Sequence, residues 1–135
     1  MKIALLILTL PAVLAVTEAV SFYAKNRSNG EVVSSGERRE YLLHVPENLD
    51  RTKPAALVLS LHGAAGWPAL QRDVSRGNEL ADREGFIVVY PAGRDGPGPR
   101  VWHIGGERDP RYIADLIDKL RGEYNIDPKR IYANG

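Results

Sequence analysis

The hydrophobic positions of this chain fall into short, almost wholly apolar runs separated by polar or amphipathic stretches. The three clearest runs are residues 55–61, 86–90 and 131–133. Such short apolar runs predict strands that are buried on both faces of a sheet. Residues 39–45 differ, because Tyr41, Leu43 and Val45 alternate with other residues and predict a strand with one buried face.

The stretch between the first two apolar runs predicts a helix. Leu70, Val74 and Ala81 keep helical spacing within residues 70–84, and Gly85 is well placed to end a helix there. Ahead of it, residues 62–68 form a glycine-rich loop.

A second helix is predicted after Asp109-Pro110, which reads as an N-cap followed by proline in the first turn. Residues 125–129, which contain a proline, are expected to break this helix before the last strand. The apolar stripe of this second helix consists of Tyr112, Ile113, Leu116, Ile117, Leu120 and Tyr124. Strands that alternate with amphipathic helices predict an α/β fold, with a mostly parallel sheet and helices on both faces.

The N-terminus has the pattern of a secretory signal peptide. Lys2 precedes an apolar run over residues 3–16, small residues follow, and Glu18 arrives too early for the roughly 20 apolar residues of a membrane span. We expect a signal peptide at 1–19, cleaved after 15 or 19, a polar segment at 20–36 and a domain at 37–135. An uncleaved membrane anchor and a buried N-terminal helix are the alternatives.

Composition narrows the classes of function. The 135 residues suit one domain, and 18 basic residues against 17 acidic residues, scattered along the chain, give no basic face for nucleic acid. The absence of cysteine excludes disulfides, a cysteine nucleophile and thiolate metal sites.

The loop after the first buried strand reads His62-Gly63-Ala64-Ala65-Gly66. A strand followed by His-Gly is typical of an oxyanion hole, in which backbone N–H groups stabilise the tetrahedral intermediate of acyl transfer. Ala64 or Ala65 would donate the N–H, and His62 would hold the loop by hydrogen bonding. The alternative is an ordinary turn with a surface histidine. A nucleotide-binding turn is disfavoured because the G-x-G-x-x-G pattern is missing.

The last predicted strand leads into Gly135, which suits the first glycine of a nucleophile elbow, G-x-S-x-G. The serine would then lie two positions further on, although a strand that simply ends in a turn gives the same pattern.

Residues 92–106 are rich in glycine and proline and predict a long irregular loop, of a kind that is often functional. Trp102, near its end, is a candidate for lining a substrate pocket or, equally, for covering the edge of the core. His44 and His103 lack a spaced carboxylate or second histidine and are expected to be structural.

Four segments carry a resemblance to secreted esterases of the polyhydroxybutyrate-depolymerase type, a group that includes feruloyl and acetylxylan esterases. The segments are REYLLHVP at 39–46, PAALVLSLHG at 54–63, NELADREGFIVVYP at 78–91 and YNIDPKRIYANG at 124–135. The resemblance implies the N-terminal half of an α/β-hydrolase fold, a signal peptide, and ester hydrolysis by Ser, Asp and His with no metal or cofactor. None of those three residues would lie in this chain, since the nucleophile is expected just beyond Gly135.

On this interpretation the chain is the N-terminal part of a secreted or periplasmic serine esterase, whose substrates are polymeric or derived from cell walls. The membrane would be a partner only if the N-terminal segment stays uncleaved. One alternative is a non-catalytic secreted binding module on the same fold. Another is that the 135 residues are the whole gene product, which would expose a strand edge and aggregate.

Overall fold

The computed structural model describes residues 10–94 and 100–135. Within these residues the chain forms helices and strands that alternate from β3 onward. In chain order they are α1 (Leu10–Lys25), β1 (Gly30–Ser34), β2 (Glu37–His44), β3 (Ala55–Ser60), α2 (Pro68–Ser75), α3 (Gly77–Glu84), β4 (Ile87–Pro91), α4 (Arg108–Glu123) and β5 (Ile126–Asn134).

The strands form one mixed sheet in the order β1-β2-β4-β3-β5. β3 runs parallel to both β4 and β5, whereas β1 and β2 form an antiparallel hairpin at the other side. The hairpin turns at Ser35 and Gly36, where both residues have positive φ. The predicted α/β class is confirmed, and the parallel strands are those that the apolar runs predict.

Helices cover both faces of the sheet. Leu57 and Leu59 of β3 pack with Tyr112, Leu116 and Leu120 of α4. On the opposite face the core is smaller and consists of Ala81, Val88 and Tyr90, with Val58 packed against it. Successive side chains of β3 therefore pack into two different cores, Leu57 and Leu59 on one face and Val58 on the other, as expected for a central strand.

The single helix predicted over residues 70–84 is wrong. Two helices, α2 and α3, replace it because Arg76 adopts a left-handed conformation with φ of 51°. Leu70 and Val74 are exposed, so their helical spacing did not mark a buried stripe. Gly85 does end α3 as predicted, with φ of 73° and its N–H donated to Ala81 O.

The predicted N-cap at Asp109 is also wrong. α4 begins at Arg108, its N-cap position is Glu107, and no side chain caps it. The carboxylate of Asp109 turns instead to a buried partner, Arg39 of β2, at 3.0 Å. A charge-assisted bond to a buried guanidinium stabilises a carboxylate more than a hydrogen bond from one exposed backbone N–H does.

The helix ends before residues 125–129 as predicted, with Glu123 its last residue, but the last strand starts earlier than predicted, because β5 begins at Ile126 and runs through this segment. Ile126 pairs with Ala55, and the next pair is Ile131 with Leu57, with a register shift between them. The proline that suggested a break lies in this irregular part of the strand, where a missing N–H is tolerated.

The N-terminal helix α1 is largely exposed, including Leu10, Leu14 and Val20, so it is not a buried helix. Part of the segment predicted as a signal peptide, residues 1–9, lies outside the described residues. Among the helices of residues 10–94 and 100–135, none has both the length and the apolar character of a membrane span. β1 lies within the predicted polar segment 20–36 and joins the sheet.

Candidate active site

The parallel strands β3, β4 and β5 all end at one edge of the sheet, and the loop that begins at His62 lies there. His62 is buried, with 3% of its surface exposed. Its Nδ1 lies 2.8 Å from Gly63 O, and its Nε2 lies 2.9 Å from the backbone N of Gly93. Because the Gly93 N–H must donate, Nε2 accepts, and the proton of the neutral ring is on Nδ1, from which it is donated to Gly63 O.

This arrangement holds His62 in the neutral form. Burial lowers the pKa of His62, and the nearby charge of Arg100 acts in the same direction, while the hydrogen bond to Gly63 O opposes it. Protonation at Nε2 would remove the acceptor of the Gly93 N–H. Both ring nitrogens are therefore engaged, and His62 is not available as a general base.

The next residues form a tight turn. Gly66 donates its N–H to Gly63 O at 3.0 Å, and Ala65 has φ of 58°. A Cβ on Gly66 would lie 2.9 Å from Gly63 O, so only glycine fits there. Ala64 and Ala65 are exposed. Among the described residues, no acceptor takes the N–H of either alanine. The turn thus presents two backbone donors at the edge of the sheet.

Gly135 lies beside the start of this loop. Leu61 donates its N–H to Asn134 O at 2.7 Å, which joins the ends of β3 and β5. A Cβ on Gly135 would lie 2.9 Å from Leu61 O and 3.2 Å from Leu61 Cβ. The structure therefore brings together the two features that the sequence singled out, the His-Gly loop and the glycine at the end of the last strand.

Trp102 lies against His62. The two rings are stacked, with centroids 5.0 Å apart, and the indole N–H donates to His62 O at 2.8 Å. Trp102 is partly buried and packs at the edge of the main core. This placement makes Trp102 a support of the loop, while its contact with a substrate stays a prediction.

The described residues of the predicted long loop at 92–106 are held by backbone hydrogen bonds and close packing. Arg94 donates its N–H to Val101 O at 2.8 Å, and Gly66 forms an isolated β-bridge with Arg100. A Cβ on Gly93 would lie 2.7 Å from Val101 O and 3.1 Å from His62 Cε1. Residues 95–99 of this loop lie outside the described residues. The described ends of the loop therefore form a close backing for His62.

Sequence reasoning missed the buried pair of Arg39 and Asp109. Their side chains are 5% and 9% exposed, and both terminal nitrogens of Arg39 bind Asp109 Oδ1 at 3.0 Å. Burial by itself would raise the pKa of Asp109, but the His103 N–H and the Arg39 guanidinium bring it below its ordinary value. A signal was present, since Arg39 falls in the same alternating register as Tyr41 and Leu43 and so points to the buried face.

The other two histidines take different positions. His44 lies within 2.7 Å of Asp82 near the surface, away from the loop. His103 Nδ1 is buried, lies 3.5 Å from Asp109 Oδ2 and has no hydrogen-bond partner in the part of the chain that the structure describes. Within the described residues no group of three or more histidine, aspartate or glutamate side chains is placed to hold a metal ion.

No protein-family model matches the chain. A bifunctional acetylxylan esterase/xylanase of Neocallimastix patriciarum is 42% identical over 100 residues, which are 74% of this chain and 14% of that protein. A poly(3-hydroxyalkanoate) depolymerase of Paucimonas lemoignei is 27% identical over 96% of this chain and 32% of that protein. The homologues of this chain are carboxylic ester hydrolases. The resemblance found in the sequence is confirmed.

The fold agrees with this homology. The acetyl xylan esterase of Aspergillus awamori superposes with a TM-score of 0.60 at 18% identity, over 77% of this chain and 40% of that one. The sheet is thus that of the α/β-hydrolase esterases. The chain spans only 14% and 32% of the two curated relatives named above.

Proposed function

We propose that this chain supplies the oxyanion side of a serine esterase active site. The observation that carries the proposal is the turn at Ala64 and Ala65. Both alanines are exposed, and the N–H of neither has an acceptor among the described residues. Their loop begins one residue after Leu61, against which Gly135 is packed. In acyl-transfer enzymes the oxyanion donors and the nucleophile act on one carbonyl group, and the closeness of the His62 loop to Gly135 supports the proposal that they do so here.

The mechanism follows from those positions. A serine two positions beyond Gly135 would attack the ester carbonyl carbon, while a general base takes the hydroxyl proton. The carbonyl oxygen becomes an oxyanion that accepts the N–H of Ala64 or Ala65. The intermediate then expels the alcohol, which receives the proton, and leaves an acyl-serine. Water hydrolyses the acyl-serine by the same steps and releases the acid.

The base in this mechanism is not His62. Its Nδ1–H is donated to Gly63 O and its Nε2 accepts the Gly93 N–H. Its proposed role is to fix the loop so that the alanine N–H groups are oriented before the substrate arrives. Such preorganisation is what makes backbone donors effective, because no reorientation is then needed during the reaction.

The substrate class is proposed from the relatives. Acetylxylan esterases, feruloyl esterases and a polyhydroxyalkanoate depolymerase are among the proteins that this chain resembles. We propose carboxylic esters of polymers or of plant cell walls as substrates, hydrolysed without metal or cofactor. Export through a signal peptide at residues 1–19 is part of the same proposal, because an insoluble polymer must be met outside the cell.

The experiment is to read the gene beyond codon 135 and to express the resulting longer product beside residues 1–135. The proposal expects a serine at the second position and a later aspartate and histidine. It also expects the longer product to hydrolyse p-nitrophenyl acetate while residues 1–135 do not. The proposal fails if the serine is absent, or if residues 1–135 alone turn the ester over.

A further inference from the structure

One buried ion pair holds two ends of chain that lie behind His62, at Ala92 and at His103. At the first end, Arg39 Nη2 donates to Ala92 O at 3.3 Å. At the second end, His103 donates its N–H to Asp109 Oδ2 at 2.6 Å. Arg39 and Asp109 bind each other at 3.0 Å, so the two ends are fixed relative to one another.

The residues next to these ends are the two that hold His62. Gly93, which follows Ala92, donates its N–H to His62 Nε2 at 2.9 Å. Trp102, which precedes His103, donates its indole N–H to His62 O at 2.8 Å. Hydrogen bonds and the peptide links between neighbouring residues therefore connect the ion pair to His62, through Gly93 to its imidazole and through Trp102 to its backbone carbonyl. The imidazole in turn is bonded to Gly63 at the start of the turn.

We propose that Arg39 and Asp109 are positioning residues for the oxyanion loop. They act through Gly93 to keep the His62 imidazole in its neutral Nδ1–H form and through Trp102 to hold the His62 backbone carbonyl, and through His62 they fix the turn that carries Ala64 and Ala65. The catalytic consequence rests on the proposed function, whereas the positioning of His62 does not.

The burial of the pair makes it suited to this task. The Arg39 guanidinium also lies over the Tyr112 ring, 4.0 Å from its centroid, so Tyr112 packs against the guanidinium as well. A buried charge that loses its partner is strongly unfavourable, so the pair resists small displacements. An exposed pair, Arg108 with Glu37 at 2.8 Å, joins the same strand and helix and makes no hydrogen bond to the described loop residues. It is therefore a matched control.

The test measures hydrogen exchange by NMR in the full chain. In the wild-type protein, the His103 N–H, the Gly93 N–H and the Trp102 indole N–H are expected to exchange as one unit, with protection factors that agree within about threefold. The Leu59 N–H in β3 reports global unfolding. Three unrelated protection factors for the loop protons contradict the proposal without any variant having to fold.

Variants then test the cause. In Asp109→Asn we expect the Gly93 and Trp102 protons to exchange at least about tenfold faster relative to Leu59, because a charged acceptor is lost. The nitrogen spectrum of His62 is expected to change from a single Nδ1–H tautomer to a mixture. Arg39→Lys keeps the positive charge but loses the two guanidinium nitrogens that bind Asp109 together. We expect a smaller change in exchange rate and tautomer, in the same direction. Arg108→Gln should leave all these signals unchanged.

Two results would overturn the proposal. One is an unchanged His62 tautomer and unchanged relative exchange in a folded Asp109→Asn or Arg39→Lys protein. The other is an equal effect in Arg108→Gln, which would mean that any contact between β2 and α4 suffices. These readouts need no turnover, so a failure here is distinct from a failure of the esterase proposal.

Discussion

The backbone N–H of Gly93 donates to Nε2 of His62 across a distance of 2.9 Å. Gly93 follows β4 and His62 follows β3, so this bond joins the ends of two neighbouring parallel strands. It also determines the chemistry of the histidine. An imidazole that must accept at Nε2 and donate at Nδ1 stays neutral, and it acts as a rigid link between two loops.

Replacement of Gly93 by alanine tests how closely the loop is packed. The new Cβ would lie 2.7 Å from Val101 O and 3.1 Å from His62 Cε1, where the backbone cannot yield easily. We expect a loss of about 1–3 kcal/mol in the free energy of unfolding. The control is Gly122→Ala in α4, where nothing lies within 4 Å. There we expect a gain of up to about 1 kcal/mol from helix propensity. Urea denaturation measures both, and a Gly93→Ala protein as stable as the control would contradict this packing.

The two hydrogen bonds of His62 are tested by His62→Phe, which keeps a ring against Trp102 but removes both polar atoms. The buried Gly93 N–H then lacks an acceptor, and we expect a loss of about 1–3 kcal/mol in the free energy of unfolding. His44→Phe is the control, because His44 pairs with Asp82 nearer the surface, where the two side chains are 25% and 53% exposed. We expect it to cost less than about 1 kcal/mol. Equal losses in the two variants would show that the buried bonds carry no special weight.

The dependence of stability on pH follows from the lowered pKa of His62. Its ordinary value is 6.5, and burial depresses it in the folded chain. As pH falls below 6.5 the unfolded chain takes up a proton at His62 while the folded chain does not. The contribution of His62 is therefore complete above this pH and is lost below it, by at most about 1.4 kcal/mol per pH unit.

The check is the free energy of unfolding as a function of pH for the wild-type protein and for His62→Phe. The difference between the two curves isolates His62 from His44 and His103, which are present in both. We expect the difference to shrink as pH falls from neutral. A difference that stays constant would mean that His62 titrates alike in the folded and unfolded chains.

The indole N–H of Trp102 is tested by Trp102→Phe, which keeps an aromatic ring beside His62 and removes the bond to His62 O. We expect a loss of about 0.5–1.5 kcal/mol in the free energy of unfolding. The control is Trp67→Phe, since the Trp67 indole N–H makes no hydrogen bond to any described residue and its ring contacts Phe22. A cost at Trp67 as large as that at Trp102 would assign the effect to lost ring area.

The sequence was sufficient where one local signal decided the outcome. The apolar runs predicted the parallel strands, because a sheet covered by helices on both faces is what buries such runs. Gly85 marked the end of α3. The split at Arg76 was not visible, because arginine has no preference for the left-handed region that would mark a helix end. The pattern Asp109-Pro110 predicts an N-cap, and the partner that Asp109 takes instead, Arg39, lies 70 residues earlier in the chain. A charged residue in an otherwise buried register was the clue to that pair.

The most direct test of the central claim removes one backbone donor without changing any side chain. Incorporation of lactic acid in place of Ala64, or in place of Ala65, turns that N–H into an ester oxygen and keeps the methyl group. The measurement is kcat for p-nitrophenyl acetate in the gene product carried past codon 135. Our account predicts that one of the two replacements lowers kcat by about 10²–10³-fold. Unchanged kcat in both would contradict it.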